Sequence, residues 1–271
     1  MTTIVQLSDT HFGTEVPAVV HAAREAVRAI APDLVVMSGD ITQRARPREF
    51  RAAQAFLASL PGAPRLTIPG NHDLPLFNPL ARLFWPYRGY RRHFGACNQL
   101  WFNGDVGIVG FDATARVRHT RGKLDAREVC DLVAEARRQL PSDALLLACV
   151  HQPLETLWQQ DEPNVLIDVN DTARLLAALK VDAVLTGHVH VPLLTTTRKR
   201  FPSLPRHFVL CGAGTALSHR VRAGVPNSFN VIRVTKKQLA IVEYRYEAVA
   251  RKFIARPAAC FARGEDGWMT R

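Results

Sequence analysis

Five short polar segments, each set directly behind an apolar stretch, restrict this chain more than any other feature. Asp9-Thr10-His11 follows the stretch Thr3–Ser8, Gly39-Asp40 follows Leu34–Ser38, and Gly70-Asn71-His72-Asp73 follows Arg65–Ile68. His151-Gln152-Pro153 follows Leu145–Val150, and Gly187-His188-Val189-His190 follows Ala183–Thr186. The stretches are short, apolar and bounded by turn residues, so they read as buried strands. Between the first three, Val16, Val19, Val20, Ala23, Val27 and Ile30 recur with helical spacing. Phe50, Ala53, Leu57 and Leu60 mark a second helix, closed by Pro61-Gly62. A βαβαβ rhythm of this kind implies parallel strands joined by right-handed crossovers. Sites in open α/β sheets form outside the carboxyl ends of strands. All five polar segments fall there.

The rest of the chain extends the pattern. Gln99–Phe102 and Val106–Phe111 predict a strand pair across Asn103-Gly104. Asp125 with Glu128 predicts the capped start of a helix with face Val129, Leu132, Val133, Ala136 and Leu140. Leu175, Leu176 and Leu179 predict a shorter one. In the last third, Leu193–Thr197, His207–Cys211, Phe229–Val234 and Leu239–Tyr246 read as strands separated by Pro, Gly and basic turns. No repeat, low-complexity tract or linker interrupts the chain. The simplest organisation is one two-sheet α/β domain over residues 1–250, followed by a C-terminal tail, 251–271.

Composition narrows the class further. With 271 residues at 47% hydrophobic, the chain can bury a full core, which excludes disorder and small stapled scaffolds. Its longest hydrophobic run, Ala144–Val150, is seven residues. A bilayer-spanning helix needs roughly 20, so none is expected. The opening MTTIVQLSDTHFG lacks a charged n-region and an apolar h-region, so no signal peptide is expected. Five cysteines, an odd number without paired spacing, predict free thiols and a cytoplasmic location. The net charge of +11 fits an anionic substrate or a merely solubilising surface equally well.

The residue types in the five segments are those of a metal site. Imidazole and carboxylate together suit borderline divalent ions such as Mn, Fe, Zn, Co or Ni. The glycines allow close backbone approach or positive φ where a strand turns into a site. Five of the ten histidines lie in these segments. His21 sits in a helical stretch, His207 begins a strand, and His93, His119 and His219 lie in basic stretches expected to be solvated.

On Asp9, His11, Asp40, Asn71, His72, His151, His188 and His190, the chain resembles the calcineurin-like metallophosphoesterases. The opening QLSDTHFG and the compact size look most like the bacterial cyclic-nucleotide phosphodiesterase branch. The resemblance implies a four-layer α/β/β/α sandwich of two mixed β-sheets flanked by helices, with two divalent metal ions. Asp9, His11, Asp40 and His190 would hold one ion. Asp40, Asn71, His151 and His188 would hold the other, with Asp40 bridging. It further implies a metal-activated hydroxide attacking phosphorus in line. His72, not a ligand in the family, would protonate the leaving oxygen. Asp73 is the natural residue to orient His72, with a plain turn cap as its alternative role.

Residues 76–94 hold six of the chain's 21 aromatics, interleaved with Arg82, Arg88, Arg91 and Arg92. Aromatics with arginines can stack a base or dock on a membrane surface. The reading favoured here is a cap packed on the domain or on a second subunit, with at least one Arg at the pocket mouth. Arg198-Lys199-Arg200 with Arg206 reads as a solvated hairpin loop. The expected substrate is a small anionic phosphoester, with phosphodiesters of small organic phosphates, cyclic nucleotides among them, ranked first. A nucleotide-sugar or lipid-linked pyrophosphate is the alternative, and a non-catalytic metal-bearing scaffold a third reading. A nucleic-acid substrate is disfavoured, because 271 residues scarcely leave room for the extra domains a DNA-end nuclease normally needs. A membrane surface contacted through 76–94, and a homodimer, are the partner readings left open.

Overall fold

The first strands set the layers. β1 (Thr2–Leu7), α1 (Pro17–Ile30), β2 (Leu34–Ser38), α2 (Pro47–Ala58) and β3 (Arg65–Ile68) form the expected βαβαβ unit, with β1–β2 and β2–β3 parallel. α3 (Pro79–Phe84), α4 (Arg88–Phe94), β4 (Gln99–Asn103), β5 (Val106–Phe111), α5 (Ala126–Gln139), β6 (Leu145–Val150), α6 (Val169–Ala178) and β7 (Ala183–Thr186) follow. β8 (Leu193–Thr196), β9 (Val209–Gly212), β10 (Ser228–Thr235), β11 (Gln238–Glu247), β12 (Lys252–Ala255), β13 (Ala259–Gly264) and β14 (Gly267–Thr270) complete the chain. This computed structural model describes residues 1–60, 62–117 and 120–271. Pro61, expected to close the second helix, and His119, expected to be solvated, lie outside the described residues.

Strand periodicity explains the stacking. In β1, Val5 and Leu7 face α1 and α2, while Ile4 faces the other sheet. In β6, Leu146, Ala148 and Val150 face α5 and α6, while Leu145, Leu147 and Cys149 face inward. Successive side chains point to opposite faces of a strand, so each strand buries both. One sheet runs β14-β13-β11-β10-β1-β2-β3, with β12 also paired to β11. The other runs β4-β5-β6-β7-β9-β8. Both are mixed, and the order helix, sheet, sheet, helix is the expected four-layer sandwich. Among the described residues, no helix is long and apolar enough to cross a membrane.

The chain after residue 250 departs from expectation. Residues 252–270 are not a tail; they are β12, β13 and β14 of the first sheet. Phe261 and Trp268 are fully buried between the sheets. Trp268 Nε1 donates to Asp182 Oδ1 at 3.0 Å. Each strand is short and buries only one or two side chains, so no apolar run marks it.

The basic turn is also not a solvated loop. Arg198 forks onto both carboxylate oxygens of Asp266 at 2.8 and 2.6 Å. Arg200 pairs with Glu162, and Arg206 donates to the buried Asp182 at 2.6 Å.

Residues 76–94 divide. α4 packs on α2 and buries Tyr90, whose hydroxyl meets Thr67 Oγ1 at 2.9 Å. α3 buries nothing, and Phe77, Leu80, Leu83, Phe84 and Trp85 are exposed. Any membrane or dimer contact through this segment would use that exposed face.

Candidate metal centre

The backbone is strained where the site begins. Among the described residues, ten non-glycine residues have positive φ, and Asp9, His11, Asp40, His188 and His190 are five of them. Left-handed conformations of such residues cost energy and persist where surrounding structure imposes them. Each follows a strand end, so the turn swings its side chain over the edge of the sheets. Two glycines let the turns close. Gly39 has φ +94°, and a Cβ there would lie 2.4 Å from His151 Nδ1. A Cβ on Gly70 would lie 2.2 Å from the Asp40 backbone nitrogen.

The turns converge on two groups of potential ligands that share one residue. Asp9, His11, Asp40 and His190 offer ligand atoms within 4.8 Å of one another, and so do Asp40, His151 and His188. The shared residue is Asp40. Asn71 is buried, and its Oδ1 has no hydrogen-bond partner among the described residues.

Hydrogen bonding fixes how the imidazoles face. His151 Nδ1 lies 2.8 Å from the Ser38 carbonyl, and His190 Nδ1 lies 2.6 Å from the Arg220 carbonyl. A carbonyl only accepts, so both Nδ1 atoms carry the proton. In neutral rings the two Nε2 lone pairs then face carboxylates: His151 toward Asp40 Oδ2 at 3.2 Å, His190 toward Asp9 Oδ1 at 3.2 Å. His190 Nε2 also lies 3.2 Å from His11 Nε2. Buried acceptors facing each other repel unless a proton or a cation lies between them.

Electrostatics gives the same answer. Burial would lower His151, but the facing Asp40 carboxylate, Asp9 and the bond to the Ser38 carbonyl outweigh it and lift its pKa to about 9. His190 is raised likewise, with Asp9 overcoming burial. Burial would raise Asp9 and Asp40, yet facing imidazoles hold both below the usual carboxylate range. Burial takes His11 to about 3 and His188 to about 4, which keeps them neutral. The cluster therefore demands positive charge, as protons on His151 and His190 or as a cation in their place, and offers the neutral nitrogens of His11 and His188 beside carboxylate oxygens. Among the described residues, Asp9 Oδ1, Asn71 Oδ1 and His151 Nε2 are left without hydrogen-bond partners. That donor set fits divalent cations of the N/O-binding kind.

His72 stands beside this cluster, its ring edge-on to His11 at 4.8 Å. Its backbone N–H donates to Asp40 Oδ1 at 2.8 Å. Asp73 does not orient it. The Asp73 carboxylate accepts from the Ile41, Thr42 and Gly70 N–H groups and from the Thr42 hydroxyl, at 2.7–3.0 Å. It caps the turns that carry Asp40 and Asn71, because its short side chain is aimed back at the backbone between them. The group that orients His72 is the Gln43 carbonyl, 2.9 Å from Nδ1.

Sequence reasoning missed Arg220. Its Nη1 lies 3.0 Å from Gln43 Oε1 and 3.3 Å from His72 Nε2. With Asp40, Asn71, His72, His188 and His190 it lines a pocket of about 340 Å³. Arg222, paired with Asp161, extends the wall. No arginine of 76–94 reaches this pocket, so the basic group at its mouth comes from the loop after β9. Nothing in a chain so rich in arginine singles out residue 220.

Known proteins resemble the chain in sequence and in fold. The sequence model of the family described as Calcineurin-like phosphoesterase matches residues 2–192. The "cAMP/cGMP dual specificity phosphodiesterase" of Mycobacterium tuberculosis is 25% identical over 180 residues, covering 65% of this chain and 53% of that protein. The "Probable glycerophosphodiester phosphodiesterase GpdQ" of Arcobacter nitrofigilis is 27% identical over 161 residues, covering 59% of this chain and 57% of that protein. The alignments thus span little more than half the length of these relatives. A purple acid phosphatase from yellow lupin shares the fold with a TM-score of 0.66 at 13% identity, over 97% of this chain and 54% of its own.

Proposed function

For a chain that belongs to the calcineurin-like phosphoesterases, we propose hydrolysis of small phosphodiesters at a binuclear metal centre, with 3′,5′-cyclic nucleotides as the first substrate class. The single observation that carries the two-metal reading is Asp40, common to both groups of ligand atoms. Asp9, His11 and His190 would complete one site; Asn71, His151 and His188 would complete the other. Two divalent ions bound there would clamp the phosphoryl group and supply a nucleophile at neutral pH by acidifying water.

The chain's own groups do the rest. Arg220 reaches into the pocket and offers a guanidinium fork to the non-bridging phosphate oxygens. His72 keeps Nδ1–H on the Gln43 carbonyl, and as the acid it would present Nε2–H to the ester oxygen. The new bond joins water oxygen to phosphorus, the bond from phosphorus to the ester oxygen breaks, and that oxygen takes the Nε2 proton. Ser38 and the Arg220 carbonyl hold the tautomers of His151 and His190 by binding their Nδ1–H groups.

The names of the two phosphodiesterase relatives support a diester rather than a monoester. Free thiols at Cys97, Cys130, Cys149, Cys211 and Cys260 support a reducing, cytoplasmic setting. The test is turnover of bis-p-nitrophenyl phosphate against p-nitrophenyl phosphate with Mn²⁺, beside the variant Asp40→Ala. Faster diester turnover, with both metals and activity lost in the variant, is expected. An Asp40→Ala protein that keeps two metals and full activity would end the binuclear reading, and no turnover by the wild type would favour a scaffold.

A further inference from the structure

A larger cleft than the metal pocket lies on the other side of the turn at 71–73. It has about 550 Å³ of space, within the ~300–1,000 Å³ typical of ligand sites. Its walls come from α2, α3 and α4, and Pro47, Phe50, Pro75, Ala81 and Trp85 make them apolar. The His93 ring, stacked on Phe50 at 5.2 Å, extends that wall. The two cavities share no lining residue: His72 lines the metal pocket and Asp73 lines this one.

The polar groups at the cleft divide into used and unused. Asp73 accepts four hydrogen bonds, and Gln54 Nε2 donates to the His93 carbonyl at 2.8 Å. Both are engaged within the chain, so the interior offers little to read the polar edge of a base or a sugar. At the rim, Arg51, Arg88 and Arg92 are exposed, and no ion pair to any of them occurs among the described residues. Across residues 44–100 the chain carries nine arginines against two acids, Glu49 and Asp73, and both acids are buried. An apolar hollow with an uncompensated guanidinium rim complements one kind of molecule: an apolar body with an anionic head.

We propose that this cleft is a second ligand site, separate from the metal centre, that takes a single-chain anionic amphiphile. The chain lies against Pro75, Ala81 and Trp85, and the head group meets Arg88 and Arg92. Burying a chain of this kind gains about 0.8 kcal/mol per methylene, and guanidinium binds phosphate or carboxylate through paired N–H groups.

Octyl phosphate is the probe, titrated calorimetrically into the metal-loaded protein with excess inorganic phosphate present to fill the metal centre. One molecule should bind per chain. The double variant Arg88→Gln/Arg92→Gln, which alters only exposed side chains, should weaken binding by at least about tenfold. Ala81→Trp, which fills the hollow, should weaken it as much, while octyl glucoside, with the same chain and no charge, should bind at least about tenfold more weakly. Diester turnover by the arginine variant should equal that of the wild type. Octyl glucoside binding as tightly as octyl phosphate would overturn the proposal. So would an affinity unchanged in the arginine variant, or suppression of octyl phosphate binding by inorganic phosphate alone. Because the read-out is binding and not hydrolysis, its failure leaves the reading of the metal centre untouched.

Discussion

His72 Nε2 and Arg220 Nη1 meet at 3.3 Å, and that contact sets what each side chain does in the free protein. With Nδ1–H given to Gln43, a ring carrying no second proton accepts at Nε2, and the guanidinium satisfies it. In the proposed reaction a substrate phosphate would draw Arg220 away, and Nε2, having taken a proton from solvent, would face the ester oxygen as donor. His72→Ala is therefore expected to lower kcat by roughly 10²–10⁴ on a diester with a poor leaving group. The loss on a nitrophenyl ester should be smaller, because that oxygen needs little protonation. Metal content, measured by elemental analysis, should stay at the wild-type level. Arg220→Ala separates from it: KM for an anionic diester should rise about tenfold while kcat changes less, the pattern of lost uniform binding. Equal losses on both esters would remove His72 as the acid, and an unchanged KM would remove Arg220 as the phosphate ligand.

At the scale of elements, strand ends carry the chemistry and the last strands hold the sheets together. β1, β2, β3, β6 and β7 deliver the turns that carry the candidate ligands, and Asp73 ties two of those turns to each other. β14 touches none of this, yet its Trp268 fills the space between the sheets and reaches Asp182. Trp268→Ala removes a large buried ring and one partner of a buried carboxylate. The expected cost is about 3–5 kcal/mol, read as a lower urea midpoint. A loss below about 1 kcal/mol would mean that 252–270 behave as a tail after all.

At the scale of the molecule, the acidic and imidazole groups of the site pull against one another until a cation joins them. Ions that bind the folded chain and not the unfolded one stabilise it by mass action, by about 2.7 kcal/mol at 100 times Kd. For a domain of this size that is a rise in Tm of about 5–10 °C. Treatment with EDTA should lower Tm by that amount, and Mn²⁺ should restore it. A Tm indifferent to both would argue against any tight site in this cluster.

How much was legible follows from how far each signal reaches along the chain. Strand periodicity and the polar residues behind each strand are local, so the parallel strands, the two-sheet domain and the metal-type side chains from Asp9 to His190 could be read from order, while the four layers and the ligand sets came from the family resemblance. The orientation of Asp73 could not, since a carboxylate beside His72 in sequence has no side-chain preference until the backbone of 40–42 arrives beside it. Arg220 reaches His72 across 148 positions, and only the packing of one sheet on the other makes them neighbours. β12 to β14 stayed hidden for a related reason. Single buried residues such as Phe261 and Trp268 become a core only when another strand supplies the opposite wall. Local chemistry and periodicity pointed to the strands and the candidate ligands; contacts between distant segments decided the hydrogen-bonding partners, the basic group at the pocket and the edge of the sheet.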